Sequence, residues 1–146
     1  MVRIGIILLL VLSLVSCGGS PTIKNSTRTT TLDSPFDDVW TKTVRFLTTN
    51  QIGIQTIEKD SGLIVLSGKN LDKGLTESLC ETDGPFMNSF AGGIADGNVT
   101  VVEEGDFTTV SVNMKFSAAY VYNSNITVIA CNSTGEFEDR LIQALK

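Results

Sequence analysis

Residues 107–122 read Phe-Thr-Thr-Val-Ser-Val-Asn-Met-Lys-Phe-Ser-Ala-Ala-Tyr-Val-Tyr. Val110, Val112, Met114, Phe116, Ala118, Tyr120 and Tyr122 recur at every second position, while Thr109, Ser111, Asn113, Lys115 and Ser117 fill the alternate ones. Successive strand side chains point to opposite faces, so this period of two describes a half-buried antiparallel strand with one apolar and one wet face. A sheet packed on one side only is therefore expected, and the neighbouring segments must supply its partners and its cover.

The partners follow on both sides. Asn98 to Glu103 is β-prone, and Gly105-Asp106 suits a two-residue type II′ turn into the long strand. Downstream, Asn125 to Cys131 sets Ile126, Val128 and Ala130 against Thr127, Ile129 and Cys131. Further upstream, Gly53 to Glu58 and Gly62 to Gly68 flank Lys59-Asp60-Ser61-Gly62, which has the composition of a hairpin turn. A first strand is expected over Thr27 to Leu32.

Two helices supply the cover. Phe36, Val39, Trp40, Thr43, Val44 and Leu47 fall on one helical stripe, opposed by Asp38, Thr41, Lys42 and Arg45. Ser34 is expected to cap this helix, with Pro35 at its first position and Asp37 as the acidic member of a capping box. The spacing breaks near Asn50. Ser133-Thr134-Gly135-Glu136 offers a second capping box, followed by a stripe of Phe137, Leu141, Ala144 and Leu145 with Ile142 at its border. The sum is an α+β two-layer domain, an antiparallel sheet of about five strands with two helices on one face. Asn70 to Gly97 is left as a long connection, with room for a short helix from Asp72 to Leu79.

The amino-terminal segment reads differently. Arg3 precedes an apolar run from Ile4 to Val15, about 12 residues where spanning a bilayer takes roughly 20. That is the length of a signal-peptide core. It ends in Leu14-Val15-Ser16-Cys17, which resembles the lipobox of bacterial lipoprotein precursors at all four positions. The resemblance implies cleavage before Cys17, acylation of Cys17 and anchorage in a membrane. Gly18 at the second mature position implies the outer membrane, facing the periplasm. The expected organisation is a signal peptide at 1–16, a lipidated Cys17 with a flexible Gly/Ser/Thr/Asn-rich tether to residue 28, and one domain over 29–146. Two acyl chains suffice for stable anchoring.

Among 146 residues the chain has three cysteines. With Cys17 assigned to lipid, Cys80 and Cys131 remain as an even pair in an exported protein, and a disulfide between them is expected. No Cys-x-x-Cys spacing favours a redox role for either.

Composition narrows the function further. The net charge is −5, and removal of Arg3 with the leader takes it to −6. With no basic run, nucleic-acid binding is not expected. There is no histidine, which removes histidine-dependent triads, Cys–His dyads and imidazole zinc sites. Glu103, Glu104 and Asp106 form an acidic cluster at a hairpin tip, where solvation is the simplest reading, against a calcium site or a carboxylate-based enzyme. No cofactor or metal site is expected.

A second resemblance lies in the domain. Ser34-Pro35-Phe36-Asp37-Asp38-Val39-Trp40, followed by Ile57-Glu58-Lys59-Asp60-Ser61-Gly62-Leu63-Ile64, is similar to the layout of BamC-like domains of the outer-membrane assembly machinery. Several uncharacterised small envelope lipoproteins share it, and the Cys131 to Glu138 segment with Cys80 is closer to those. BamC has a second domain that this chain lacks, so the resemblance implies a fold rather than a role in barrel assembly.

The expected function is thus a membrane-anchored, non-enzymatic lipoprotein that binds an envelope protein partner. Contact residues are expected at Phe86, Met87 and Phe90 in the long connection and at Tyr120 and Tyr122 at the end of the long strand. The rival reading is a small-molecule or lipid-binding module with a cavity between sheet and helices, lined by Trp40, Met114 and Phe116.

Overall fold

The computed structural model describes residues 26–81 and 89–146. The element order is β1 (Ser26–Leu32), α1 (Phe36–Thr49), β2 (Ile54–Glu58), β3 (Leu63–Leu71), α2 (Lys73–Leu79), β4 (Cys80–Glu81), β5 (Ser89–Glu104), β6 (Phe107–Tyr122), β7 (Asn125–Ser133) and α3 (Glu136–Leu145). The class is α+β, and the described residues hold seven strands rather than about five, with three helices: the two expected and the short one for which Asp72 to Leu79 had room. β1 is the expected first strand, beginning at Ser26, one residue before Thr27.

All pairings are antiparallel, in the order β2-β3-β5-β6-β7-β4. β6 is the spine. One of its edges pairs with β5 from Phe107 to Val121. The other is shared: β1 takes Thr108 to Met114 and β7 takes Phe116 to Tyr122. The beginning of β1 therefore meets the end of β7 halfway along β6. Beyond that junction lies a lobe built from the first half of β5, the second half of β6, and β7, with β3 still alongside β5 as far as Leu71, opposite Gly93.

The expected alternation in β6 holds through the packed part. Val110, Val112, Met114, Phe116 and Ala118 are buried, as is Thr108 on the same face. Val39, Trp40, Thr43 and Leu47 of α1 cover them together with Phe137, Leu141, Ile142 and Leu145 of α3. In α3 the stripe is rotated from the expected one, so that Ile142 is buried and Ala144 exposed. Each fully buried Leu or Ile, such as Leu47 or Ile64, contributes roughly 1.5–3 kcal/mol by leaving water. The two long helices are also joined directly, by Phe46 and Phe137 edge to face at 6.1 Å and by Lys42 Nζ donating to the Leu145 carbonyl at 3.1 Å.

Both expected capping boxes are replaced. Pro35, not Ser34, is the α1 cap, and its carbonyl accepts from Asp38 and Val39. The Ser34 carbonyl instead accepts from the Thr108 hydroxyl at 2.7 Å, tying the helix entry to the spine strand. At α3 the cap is Gly135 with φ +84, and Glu136 does not reach back. Ser133 Oγ accepts from the Gly135 amide and donates to Glu138.

The β2–β3 hairpin turns where expected, through residues 59–62. Gly62 has φ +66, its amide donates to the Lys59 carbonyl, and its own carbonyl accepts from Val101. A Cβ on Gly62 would lie 1.8 Å from the Val101 carbonyl oxygen, so only glycine fits. The turn is in this way bonded to β5 as well as to its own strands.

The largest departure is Asn70 to Gly97. Apart from residues 82–88, which lie outside the described set, it is structured throughout. β3 runs on to Leu71, Asp72 caps α2 by accepting from Leu75 at 2.8 Å, and β5 begins at Ser89.

Candidate functional site

Cys17, Phe86 and Met87 lie outside the described residues. The remaining contact candidates come together at the far end of the lobe. Phe90 pairs with Tyr120 across β5 and β6, and their rings meet edge to face at 6.1 Å. Tyr122 lies two positions further along the same face and is 54% exposed. Helix cover stops short of them. α2 reaches the sheet at Gly93, where a Cβ would sit 2.2 Å from Thr76 Oγ1, so the absent side chain lets the helix in. Past that point the helix-side face carries Phe90 and Tyr120, half-buried at the core margin, and then Tyr122 in solvent.

The lobe has a second face. The register puts Ile94 level with Ser117 and Ala130, Gly92 level with Ala119 and Val128, and Val121 level with Ile126. These side chains point away from the helices, and Ile94, Ile126 and Val128 are 40%, 69% and 61% exposed. No Asp, Glu, Lys or Arg occurs in residues 89–95 or 116–131. Asp96 and Lys115, directly opposite each other, mark where charge resumes. The lobe is thus an uncharged extension with apolar residues on both faces, in an acidic protein. The sequence reading identified the aromatic face but missed the aliphatic one, because Ile126 and Val128 alternate as core residues do.

Cys80 and Cys131 are bonded, with Cα atoms 5.3 Å apart. Both are buried, and the bond holds the start of β4 against the base of the lobe. The pair is a structural fastening at the junction of lobe and domain.

Glu138, which the sequence reading did not single out, is fully buried in the first turn of α3. Ser133 Oγ donates to its Oε1 at 3.0 Å and Oε2 at 3.3 Å. Burial pushes its carboxyl pKa upward, against the lowering effect of its own backbone amide, the Ser133 hydroxyl and the charge of Arg28. Arg28 itself bonds Asp139 at 3.2 Å. The group secures the corner from β7 into α3. The only sequence signal for it was a Glu set one residue after Phe137 in an otherwise apolar stripe.

The acidic residues expected at a hairpin tip are there. Glu103, Glu104 and Asp106 are exposed, and Glu104 accepts from the Thr109 hydroxyl at 2.8 Å. Among the described residues no group of three or more His, Cys, Asp or Glu side chains is placed to hold a metal ion. Trp40, Met114 and Phe116 belong to the continuous buried core. A groove of about 560 Å³ lies elsewhere, lined by Phe46, Thr134, Glu136, Asp139, Arg140 and Gln143. No described helix is long and apolar enough to cross a membrane. Comparison with known protein-family models and with curated protein sequences gives no match.

Proposed function

We propose that the protein is a lipid-anchored lipoprotein of the bacterial envelope, held by acyl groups on Cys17 and facing the periplasm from the outer membrane. Its α+β domain is a non-enzymatic module that binds an envelope protein partner. The observation that carries the binding role is the aromatic face of the lobe: Phe90 and Tyr120 in edge-to-face contact, with Tyr122 beyond them and exposed. Tyrosine joins a large apolar ring to a polar tip, which suits a surface that is wet when free and dry when bound.

The disulfide supports the compartment, since such bonds persist where the environment is oxidising. Glu138, the one buried carboxylate among the described residues, is bonded by Ser133 at a structural corner, and Glu103, Glu104 and Asp106 sit on a hairpin tip.

The test is site-specific photo-cross-linking in intact cells, with a photoreactive phenylalanine analogue at Tyr122. A discrete protein adduct at Tyr122 that is absent for the same analogue at Gln55, on edge strand β2, supports the reading. Equal labelling at both positions contradicts it.

A further inference from the structure

We propose that the aliphatic face of the lobe lies against the lipid surface in which Cys17 is anchored, so that the domain rests on the membrane with its aromatic face turned outward. This rests on the lipid-anchor reading and goes beyond it, because an anchor alone fixes no orientation.

Three observations favour lipid as the occupant. The first is composition. The apolar side chains of this face are Ile94, Ile126, Val128 and Ala130, all exposed, with Ala119 and Val121 half-buried between them; Ser89 and Ser117 complete it, and it has no aromatic ring or guanidinium. Protein-binding hot spots draw on Trp, Tyr and Arg, and here those anchors are on the opposite face. The second is charge. An acidic domain is repelled by an anionic leaflet, yet residues 89–95 and 116–131 contain no Asp, Glu, Lys or Arg to oppose contact or to be desolvated by it.

The third is reach. β1 starts at Ser26, opposite Met114, and runs away from the lobe, so the chain enters the domain on the lobe's side. From Cys17 to Ser26 the chain extends at most about 30 Å. The middle of the aliphatic face, near Ala119, is about 17 Å along β6 from that entry point. The tether therefore keeps this face within range of the bilayer at all times, at a high effective concentration, and a weak apolar contact is enough to orient the domain. A second copy of the chain fits less well, since six side chains fall well short of the roughly 20–30 residues a side that a stable protein interface uses.

The experiment uses the full-length lipoprotein purified from membranes and reconstituted into phosphatidylcholine–phosphatidylethanolamine vesicles, with or without brominated acyl chains that quench tryptophan on contact. Trp40 is buried in the core and gives a constant background. Ile126→Trp places a reporter on the aliphatic face, and Val102→Trp places one on the same side of the sheet at its opposite end. Emission of Ile126→Trp is expected to fall about twofold in brominated vesicles, with Val102→Trp unchanged. Adding Val128→Asp, a surface change that leaves the core intact, weakens the contact about tenfold and restores emission. Co-flotation with vesicles but no quenching at Ile126→Trp overturns the proposal while leaving the anchor standing. Failure to float overturns both. Equal quenching of the two reporters, or cross-linking of position 126 to a second copy, also overturns it.

Discussion

Replacing Cys80 and Cys131 together by alanine removes the bond that closes a loop with a sequence separation of 51 residues. In the chain-entropy model such a loop restricts the unfolded chain by about 14 cal/mol/K, or about 4 kcal/mol at 25 °C. The Cα atoms are 5.3 Å apart, within the range that a disulfide spans without moving the backbone. Both side chains are buried, but alanine in their place removes little volume, so the loop term dominates. For a domain of this size, an unfolding entropy near 2.1 cal/mol/K per residue turns about 4 kcal/mol into a fall in Tm of about 16 °C. The assay is urea denaturation followed by far-ultraviolet circular dichroism, on the double variant and on the oxidised and reduced parent. The double variant and the reduced parent are expected to lose similar stability and to show a steeper dependence on urea, because the unlinked chain exposes more surface on unfolding. A loss below about 1 kcal/mol with an unchanged slope would refute the reasoning, and the bond would then be no constraint on the unfolded state.

Further predictions address single positions. Gly62→Ala forces a Cβ onto the Val101 carbonyl at positive φ and is expected to cost about 3 kcal/mol in urea unfolding, where a cost under about 1 kcal/mol contradicts the tight-turn reading. Asn123 and Ser124 form the two-residue turn from β6 to β7 with φ of +47 and +66. Ser124→Gly relieves that conformation and is expected to raise stability by about 1 kcal/mol, read as an increase in Tm. Burial raises the Glu138 pKa, so the folded state holds that proton more tightly than the unfolded chain does. The associated stability is complete below the unfolded pKa and is lost as pH rises through the folded one. Glu138→Gln stays neutral, and is expected to gain on the parent as pH is raised from about 4 to about 7, with a constant difference contradicting the assignment.

The parts of the fold that were legible in the sequence are those where one face is wet and the other dry. β6 alternates because helices cover only one side of it, and α1 shows its stripe because its far side meets solvent. The first half of β5 was not legible for the opposite reason. Its inward positions, Gly93, Ala95 and Gly97, are small because Thr76 of α2 and Met114 of β6 press against the backbone there. Ala-Gly-Gly-Ile-Ala-Asp-Gly then reads as a loop although it is a strand under close packing. The capping boxes misled because the spacing was met while the backbone had other partners. Ser34 is engaged through its carbonyl by Thr108, and Ser133 is engaged by Glu138.

For the candidate site, residue type pointed to Phe90, Tyr120 and Tyr122, and strand register brings them to one end of one face. The aliphatic face was hidden because Ile126 and Val128 have the spacing of a buried strand, and they are exposed because no described helix covers that side. Glu138 was hidden because a glutamate in the first turn of a helix is ordinarily a solvated partner for the helix dipole. Here the turn is rotated so that its carboxyl faces inward.

The central claim is that this is an exported, lipid-anchored protein whose remaining cysteines are bonded. Intact-mass analysis of the protein purified from membranes, before and after reduction, tests it most directly. The predicted result is a chain beginning at Cys17, heavier by its acyl groups, that gains about 2 Da when Cys80–Cys131 is reduced. A chain that keeps residues 1–16, or one that carries Cys17 as a free thiol without lipid, would contradict the account.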